Sequence, residues 1–226
     1  MTLDPDLTDV RLRLADMYLE QSSPVEALPH LERLRKQFPD RADVMAALGR
    51  CKFLQGQPDE ARPLLEAAVE QLPDDTPLLV HLAKLDLLAE PPRAVEAEKW
   101  LRHSLTVDPY DLEAEHTLAG SLRLQGRLKE AAEVQERHDK NRELLRQADA
   151  LLRNEVAHPS SGPKGPWEIG TLFLRLGKDG QGLDWLYRAL QRDPDYRPAH
   201  EALAAYYEKK GERDKAVAHR RRLAEP

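Results

Sequence analysis

Prolines punctuate this chain at a nearly constant interval. Pro5, Pro39, Pro73 and Pro109 are 34, 34 and 36 residues apart, and Pro159 and Pro194 continue the series after a longer gap. A recurrence every ~20–50 residues means that one supersecondary unit is copied along the chain, a unit too thin to cover its own apolar face until neighbours stack on it. Each interval holds two helical patterns. Small and large apolar residues return at matching offsets: Ala15, Tyr18, Ala27 and Leu31; Leu48, Gly49, Ala61 and Leu65; Leu82, Ala83, Ala97 and Leu101; Leu118, Ala119, Leu122 and Ala131; Ile169, Gly170, Phe173, Gly182 and Leu186; Leu203, Ala204, Tyr207 and Ala216. Small residues mark where two helices approach closely. Breakers fall between the helices of each pair, at Ser23-Pro24, Gln57-Pro58, Pro91-Pro92, Gly126-Arg127, Gly180-Gln181 and Gly211-Glu212.

This arrangement resembles the tetratricopeptide repeat, whose 34-residue pattern runs through an apolar residue, Leu-Gly, Tyr, Ala, Phe and a closing Pro. The resemblance covers nearly all of the chain and implies an all-α fold, a right-handed α-solenoid of stacked antiparallel helix pairs with one continuous core. The expected units span about 8–41, 42–75, 76–111, 112–161, 162–196 and 197–226. Hydrophobic residues make up 41% of the chain and aromatic ones 5%, which suits thin layers filled by Ala and Leu.

Two irregularities break the period. Glu90-Pro91-Pro92-Arg93 accounts for the interval of 36 and predicts a stiff corner. The interval from Pro109 to Pro159 is 50 residues, and no Gly or Pro occurs from Arg127 to His158. Leu144, Leu145, Ala148, Leu151 and Leu152 share one helical face there, so one long helix is expected over about Leu128–Ala157, the alternative being a break near Asp139-Lys140-Asn141. Its stripe either covers neighbouring repeats or docks a partner helix. His158 to Pro166 reads as a flexible, Gly/Pro-rich loop at which two halves of the array could hinge.

The ends differ. Residues 1–7 look like the tail of a preceding repeat, which raises the expectation of further chain upstream. Toward the C-terminus Arg220 stands where other units carry a large apolar residue, and the polar run His219-Arg220-Arg221-Arg222 suits a solvated end face.

A net charge of −6 argues against a general binder of nucleic acid or anionic membrane; the local basic residues Lys209, Lys210, Arg213 and His219 to Arg222 leave a salt-sensitive contact as a lesser idea. No run approaches the ~18 apolar residues of a membrane span. The N-terminus lacks the pattern of a signal peptide, giving a cytoplasmic expectation. Cys51 is the single cysteine, excludes an internal disulfide framework, and reads as a buried apolar residue.

Catalytic patterns are weak. Glu113-x-x-His116 and Glu155-x-x-His158 have the spacing of di-iron bundles, but an open array lacks the enclosing bundle with two further Glu. His30, His81, His103, His138, His200 and His219 show no metal-ligand spacing, and no nucleophile elbow or phosphate-binding Gly loop occurs. No enzyme activity and no cofactor are expected.

The resemblance also implies that the first helix of each pair lines the inner face. Carried over unit by unit, the residues on it are Asp9, Leu12 and Asp16; Ala46, Arg50 and Phe53; Val80, Lys84 and Leu87; His116 and Arg123; Trp167, Thr171 and Leu174; Glu201 and Glu208. The binding set expected from these is Arg50, Phe53, Lys84, Leu87, His116, Arg123, Trp167 and Leu174, basic and apolar in the middle. Such a surface suits a protein or peptide with carboxylates and one or two large apolar anchors. The Lys and Asn clamp of chaperone-tail adaptors is absent, since Asn141 and Asn154 lie on no inner helix. Trp100 and Trp185 sit at one register and read as packing residues. The leading functional reading is a non-catalytic interaction scaffold, with self-association through the N-terminal face open. The alternative is a regulatory or substrate-presenting segment of a larger enzyme whose chemistry lies upstream.

Overall fold

A computed structural model describes residues 5–224, with side chains from Leu7 onward. Among these residues there are helices and turns and no strand. The chain divides into two compact units, one ending at Glu136 and one beginning at Arg137.

The first unit contains α1 (Pro5–Glu20), α2 (Pro24–Gln37), α3 (Ala42–Leu54), α4 (Pro58–Val69), α5 (Thr76–Leu88), α6 (Ala94–Val107), α7 (Leu112–Leu124) and the start of α8 (Leu128–Ala157). Each helix from α1 to α6 packs on the next, and α1, α3, α5 and α7 also pack in succession on one another. The second unit holds the rest of α8, then α9 (Lys164–Arg175), α10 (Asp179–Arg192), α11 (Arg197–Lys210) and α12 (Arg213–Ala224). There α9 packs on α10 and α11, α10 on α11, and α11 on α12.

Local chemistry sets these boundaries. Pro24 and Pro58 open α2 and α4, where a missing N–H costs nothing. The carboxylates of Asp75 and Asp111 cap α5 and α7, Asp75 accepting from the Leu78 N–H at 2.8 Å and Asp111 from the Glu113 N–H at 2.9 Å; a cap of this kind stabilises by about 1 kcal/mol. Four first helices end on a glycine in the left-handed region: Gly56, Gly126, Gly177 and Gly211, with φ of 73, 76, 67 and 78°. In each case its N–H and the next one turn back to the helix, as in Gly56 to the Phe53 carbonyl and Gln57 to the Lys52 carbonyl, both at 3.0 Å. This closing motif leaves fewer carbonyls unpaired. The turn expected at Gly180-Gln181 is therefore made at Gly177-Lys178, and Gly180 lies in the first turn of α10.

The repeated small residues close the helix pairs. Ala27, Ala61 and Ala97 are fully buried, Ala131 and Ala216 nearly so, and Leu31, Leu65, Leu101 and Leu186 have no exposed surface. In α8 the register after Ala131 brings Gln135 to the slot held elsewhere by Leu, and in α12 it brings Arg220. Of α12, Ala216 is the buried residue.

Helix α8 is continuous over Leu128–Ala157, without a break at Asp139-Lys140-Asn141. In the first unit Ala131 and Val134 join the core of α5, α6 and α7. In the second unit Leu144, Leu145, Ala148, Leu151 and Leu152 pack with Ile169, Leu172, Phe173 and Leu176 of α9 and with Trp185. The apolar stripe is thus covered by α9.

The stretch expected to be a flexible loop is shorter and tethered. Lys164, Gly165 and Pro166 already belong to α9, because proline is tolerated in a first turn. Glu155, buried on α8, accepts from Arg192 of α10 at 2.7 Å and from the Ser160 hydroxyl at 2.9 Å, while Arg192 also reaches the Gly162 carbonyl at 3.1 Å. Burial works to raise the Glu155 carboxyl, but the Arg192 and Ser160 hydrogen bonds outweigh it and hold the group below the usual carboxylate range.

Pro5 to Leu7 fall within α1, whereas Leu3 and Asp4 lie outside the described residues. Among the described residues no helix is long and apolar enough to cross a membrane.

Candidate functional site

The succession α1, α3, α5, α7 presents one residue of each first helix to its neighbour at intervals close to the repeat length, and charges occupy those places. Arg41, just before α3, reaches back to Asp9 of α1 at 2.8 Å and also holds Asp43. Arg50 of α3 lies beside Asp16 of α1, with Nη1 at 3.5 Å from the carboxylate. Lys84 of α5 makes a short ion pair with Glu113 of α7. The Arg50–Asp16 and Lys84–Glu113 pairs each join one first helix to the next, and Arg41 ties the start of α3 to α1.

Their strengths differ. Burial raises the carboxyl of Asp16 above its ordinary value, and Arg50 offsets this only in part. Burial also works to raise Glu113, yet its hydrogen bond to Lys84 prevails and the group is held low. The Lys84 pair is therefore close and well compensated, and the Arg50 pair is long and poorly compensated. The Nε of Arg50 is buried and has no hydrogen-bond partner, an arrangement that costs about 1–3 kcal/mol for a buried donor.

Around Arg50 stand aromatic groups. The ring of Phe53 meets His81 edge-on, with centroids 5.3 Å apart. His81 Nδ1 donates to the Pro77 carbonyl at 2.7 Å, and burial pushes its pKa below the ordinary histidine value. This side of α3 and α5 thus combines a guanidinium with unfilled donors, an aromatic edge and a neutral imidazole.

The remaining residues of the expected binding set are placed as follows. Leu87 is half-buried against the core of α5, α6 and α7. His116 and Arg123 are exposed on α7, and Arg123 donates to Gln135 at 2.9 Å. Trp167 and Leu174 belong to the second unit. The Trp167 ring meets Tyr196 with centroids 6.1 Å apart, and Leu174 lies over Gly182, where α9 and α10 meet. Six of the eight residues accordingly share the first unit, and Arg50 and Phe53 of adjacent turns are drawn together with His81.

Several polar clusters gave no sequence signal strong enough to single them out. Asp86 sits in a run of leucines, Leu85-Asp86-Leu87-Leu88, yet it is buried, accepts from Arg62 and Trp100 and forms an ion pair with Arg93. Glu98 is held by Arg102, Gln125 and Arg127 between α6 and the α7–α8 turn. A charge inside an apolar helical stripe was the available clue. Glu113 and Glu155, considered for metal binding because of their spacing to His116 and His158, are engaged by Lys84 and Arg192. Among the described residues no group of three or more His, Cys, Asp or Glu side chains could hold a metal ion.

A tetratricopeptide repeat family model matches residues 18–85, which carry α2 to α4 and parts of α1 and α5. This chain carries tetratricopeptide repeats over residues 18–85. Its twelve described helices form about six helix pairs, and repeats of this kind generally serve as protein-interaction scaffolds. Among solved structures, PilF of Pseudomonas aeruginosa is 17% identical, with an alignment covering 95% of this chain and 89% of that one and a TM-score of 0.52. TTC0263, a thermophilic tetratricopeptide-repeat protein of Thermus thermophilus, is 16% identical over 96% of this chain and 100% of that one, with a TM-score of 0.48. YrrB, a tetratricopeptide-repeat protein with an unusual peptide-binding site, is 16% identical over 85% of this chain and 89% of that one, with a TM-score of 0.45. At 17% identity the likeness to PilF shows the fold alone. No curated protein matches the sequence.

Proposed function

We propose that this protein is a non-catalytic scaffold that binds an acidic segment of a protein partner on the inner face of α1, α3 and α5. The observation that carries the reading is the state of Arg50: a half-buried guanidinium whose Nε has no partner and whose nearest carboxylate is 3.5 Å away. A partner carboxylate would fill those donors in the bidentate fashion to which guanidinium is suited. Phe53, beside it, offers an apolar contact for a neighbouring side chain. Lys84 contributes less, because Glu113 already neutralises it.

The test is affinity capture of partners by the full chain and by Arg50→Ala, with thermal melting as a check on the fold. A partner retained by the wild type is expected to lose at least about tenfold in affinity, since a hydrogen bond to a charged group contributes about 1.5–3 kcal/mol. Retention of every partner by a well-folded Arg50→Ala variant refutes the reading. Lys84→Ala serves as a comparison, with a smaller expected loss.

A further inference from the structure

The second helices α4 and α6 flank a cleft of about 420 Å³ on the first unit, floored by Leu82 and Asp86 of α5 and walled by Trp100. Its volume lies within the ~300–1,000 Å³ of ordinary ligand sites. None of its lining belongs to the Arg50 surface. Formally the charges balance, Arg62, Arg93 and Lys99 against Glu66, Asp86 and Glu96. The hydrogen-bonding capacity does not balance. Asp86, whose side chain is 4% exposed, takes Arg62 at 3.0 Å, Arg93 at 2.6 Å and the Trp100 indole N–H at 3.1 Å. Glu66 is engaged by Arg62 at 3.3 Å.

Donors are left over. A guanidinium carries five N–H donors on three nitrogens, and Arg62 and Arg93 each commit one nitrogen to these carboxylates. Lys99 is exposed, and among the described residues it has no ion-pair partner. Glu96 is the single lining carboxylate among the described residues that stays unpaired. The buried Asp86 fixes the two arginines at the rim, and Trp100, tied to the same carboxylate, presents a half-buried indole beside them.

We propose that this cleft is a second docking site, which receives a protein segment carrying a carboxylate next to an apolar side chain. The carboxylate sits on Arg93 and Lys99, and the apolar side chain lies against Trp100 and Leu82. Hydrogen-bonding capacity sets the choice of occupant: the spare N–H donors of Arg62, Arg93 and Lys99 outnumber what Glu96 can accept, so the cleft suits a segment that brings carboxylate acceptors rather than further donors.

The experiment follows the three indole N–H resonances of the full chain during titration with the acetylated, amidated peptide Ser-Asp-Leu-Asp-Phe-Ser, and with its counterpart carrying Asn in place of both Asp. The acidic peptide is expected to move the Trp100 resonance, and the Asn peptide to leave it in place. Lys99→Gln, a change at an exposed and unpaired side chain, is expected to weaken the acidic peptide by about two- to fivefold, as for one exposed ion pair. Arg50→Ala is expected to leave the Trp100 shift unchanged. A stationary Trp100 resonance, equal shifts with both peptides, or no effect of Lys99→Gln overturns the proposal. Abolition of the shift by Arg50→Ala also overturns it, by assigning the peptide to the inner face instead.

Discussion

The Nδ1 atoms of His200 on α11 and His219 on α12 face each other at 2.9 Å. His200 Nε2 lies 2.8 Å from the Pro194 carbonyl, to which it must donate. Its Nδ1 is then the acceptor, and His219 Nδ1 donates to it. The pair accommodates one proton between the two atoms and excludes a second. The His219 ring also stacks on Tyr207, whose hydroxyl lies 2.9 Å from that of Tyr187, with the Lys215 ammonium over the Tyr207 ring. Burial and the adjacent His200 lower the pKa of His219 below 6.5.

That depression has a sign. As pH falls through about 6.5 the unfolded chain takes up a proton that the folded His219 resists, so stability is complete above this value and declines below it. Amide hydrogen exchange in α12 should accelerate between pH 7 and pH 5, relative to intrinsic rates, and His219→Gln should flatten the dependence. His81 titrates in the same sense in the first unit, so exchange resolved by helix is the appropriate measurement. Exchange in α12 that follows intrinsic rates alone over this range refutes the mechanism.

Ser22 holds the position that Gly56, Gly126, Gly177 and Gly211 hold elsewhere, with φ of 56° and the same paired hydrogen bonds, Ser22 to the Leu19 carbonyl and Ser23 to the Tyr18 carbonyl. A left-handed conformation costs a side-chain-bearing residue about 1–2 kcal/mol, and glycine loses about 0.5–1 kcal/mol of that advantage through the freer unfolded chain. Ser22→Gly should therefore stabilise by about 0.5–1 kcal/mol. Urea unfolding reads the effect, and a lowered midpoint would contradict it.

Gly170 and Gly182 let the backbones of α9 and α10 meet. A Cβ at Gly170 would lie 2.8 Å from the Gly182 carbonyl oxygen and 2.9 Å from the Leu186 nitrogen. At Gly49, by contrast, the nearest atoms belong to the Leu65 side chain. Backbone cannot step aside as a side chain can, so Gly170→Ala should destabilise by about 1–3 kcal/mol and Gly49→Ala by less. Equal melting temperatures for the two variants would count against this close approach.

Removal of Asp86 tests the polar cluster under the cleft. Two guanidiniums and an indole N–H would lose their acceptor at once. Breaking a fully buried ion pair costs about 3–5 kcal/mol, but the Arg93 side chain is 45% exposed and can turn to water. Asp86→Ala is accordingly expected to cost about 1.5–3 kcal/mol in equilibrium unfolding. A loss within about 0.5 kcal/mol, the range of ordinary surface changes, would show that the cluster is dispensable.

The helix pairs could be read from the sequence because they follow from residue size at fixed intervals: Ala27, Ala61, Ala97 and Ala131 are buried where a small residue is required. Helix α8 was legible for a complementary reason, the lack of any residue from Arg127 to His158 able to stop it. Boundaries were harder where glycines compete. Gly177 and Gly180 are both credible turn residues, and only the hydrogen bonds of Gly177 and Lys178 distinguish them. The start of α9 was hidden because Gly165 and Pro166 act as breakers inside a helix but are tolerated in its first turn. Pairings such as Asp86 with Arg62 and Arg93, or Glu155 with Arg192, join residues far apart in sequence and carry no periodic signal. The same is true of Arg50, whose incomplete pairing depends on a distance to Asp16.

The ion pairs between first helices make the repeats non-interchangeable. Excision of α3 and α4 as a 34-residue cassette would bring Lys84 to the place of Arg50 opposite Asp16, a tolerable exchange. The same excision would bring Asp75 to the place of Arg41, opposing its carboxylate to that of Asp9. Order within this array is therefore written partly in charge, and shuffling its modules would be penalised at the seams even where every helix kept its own shape.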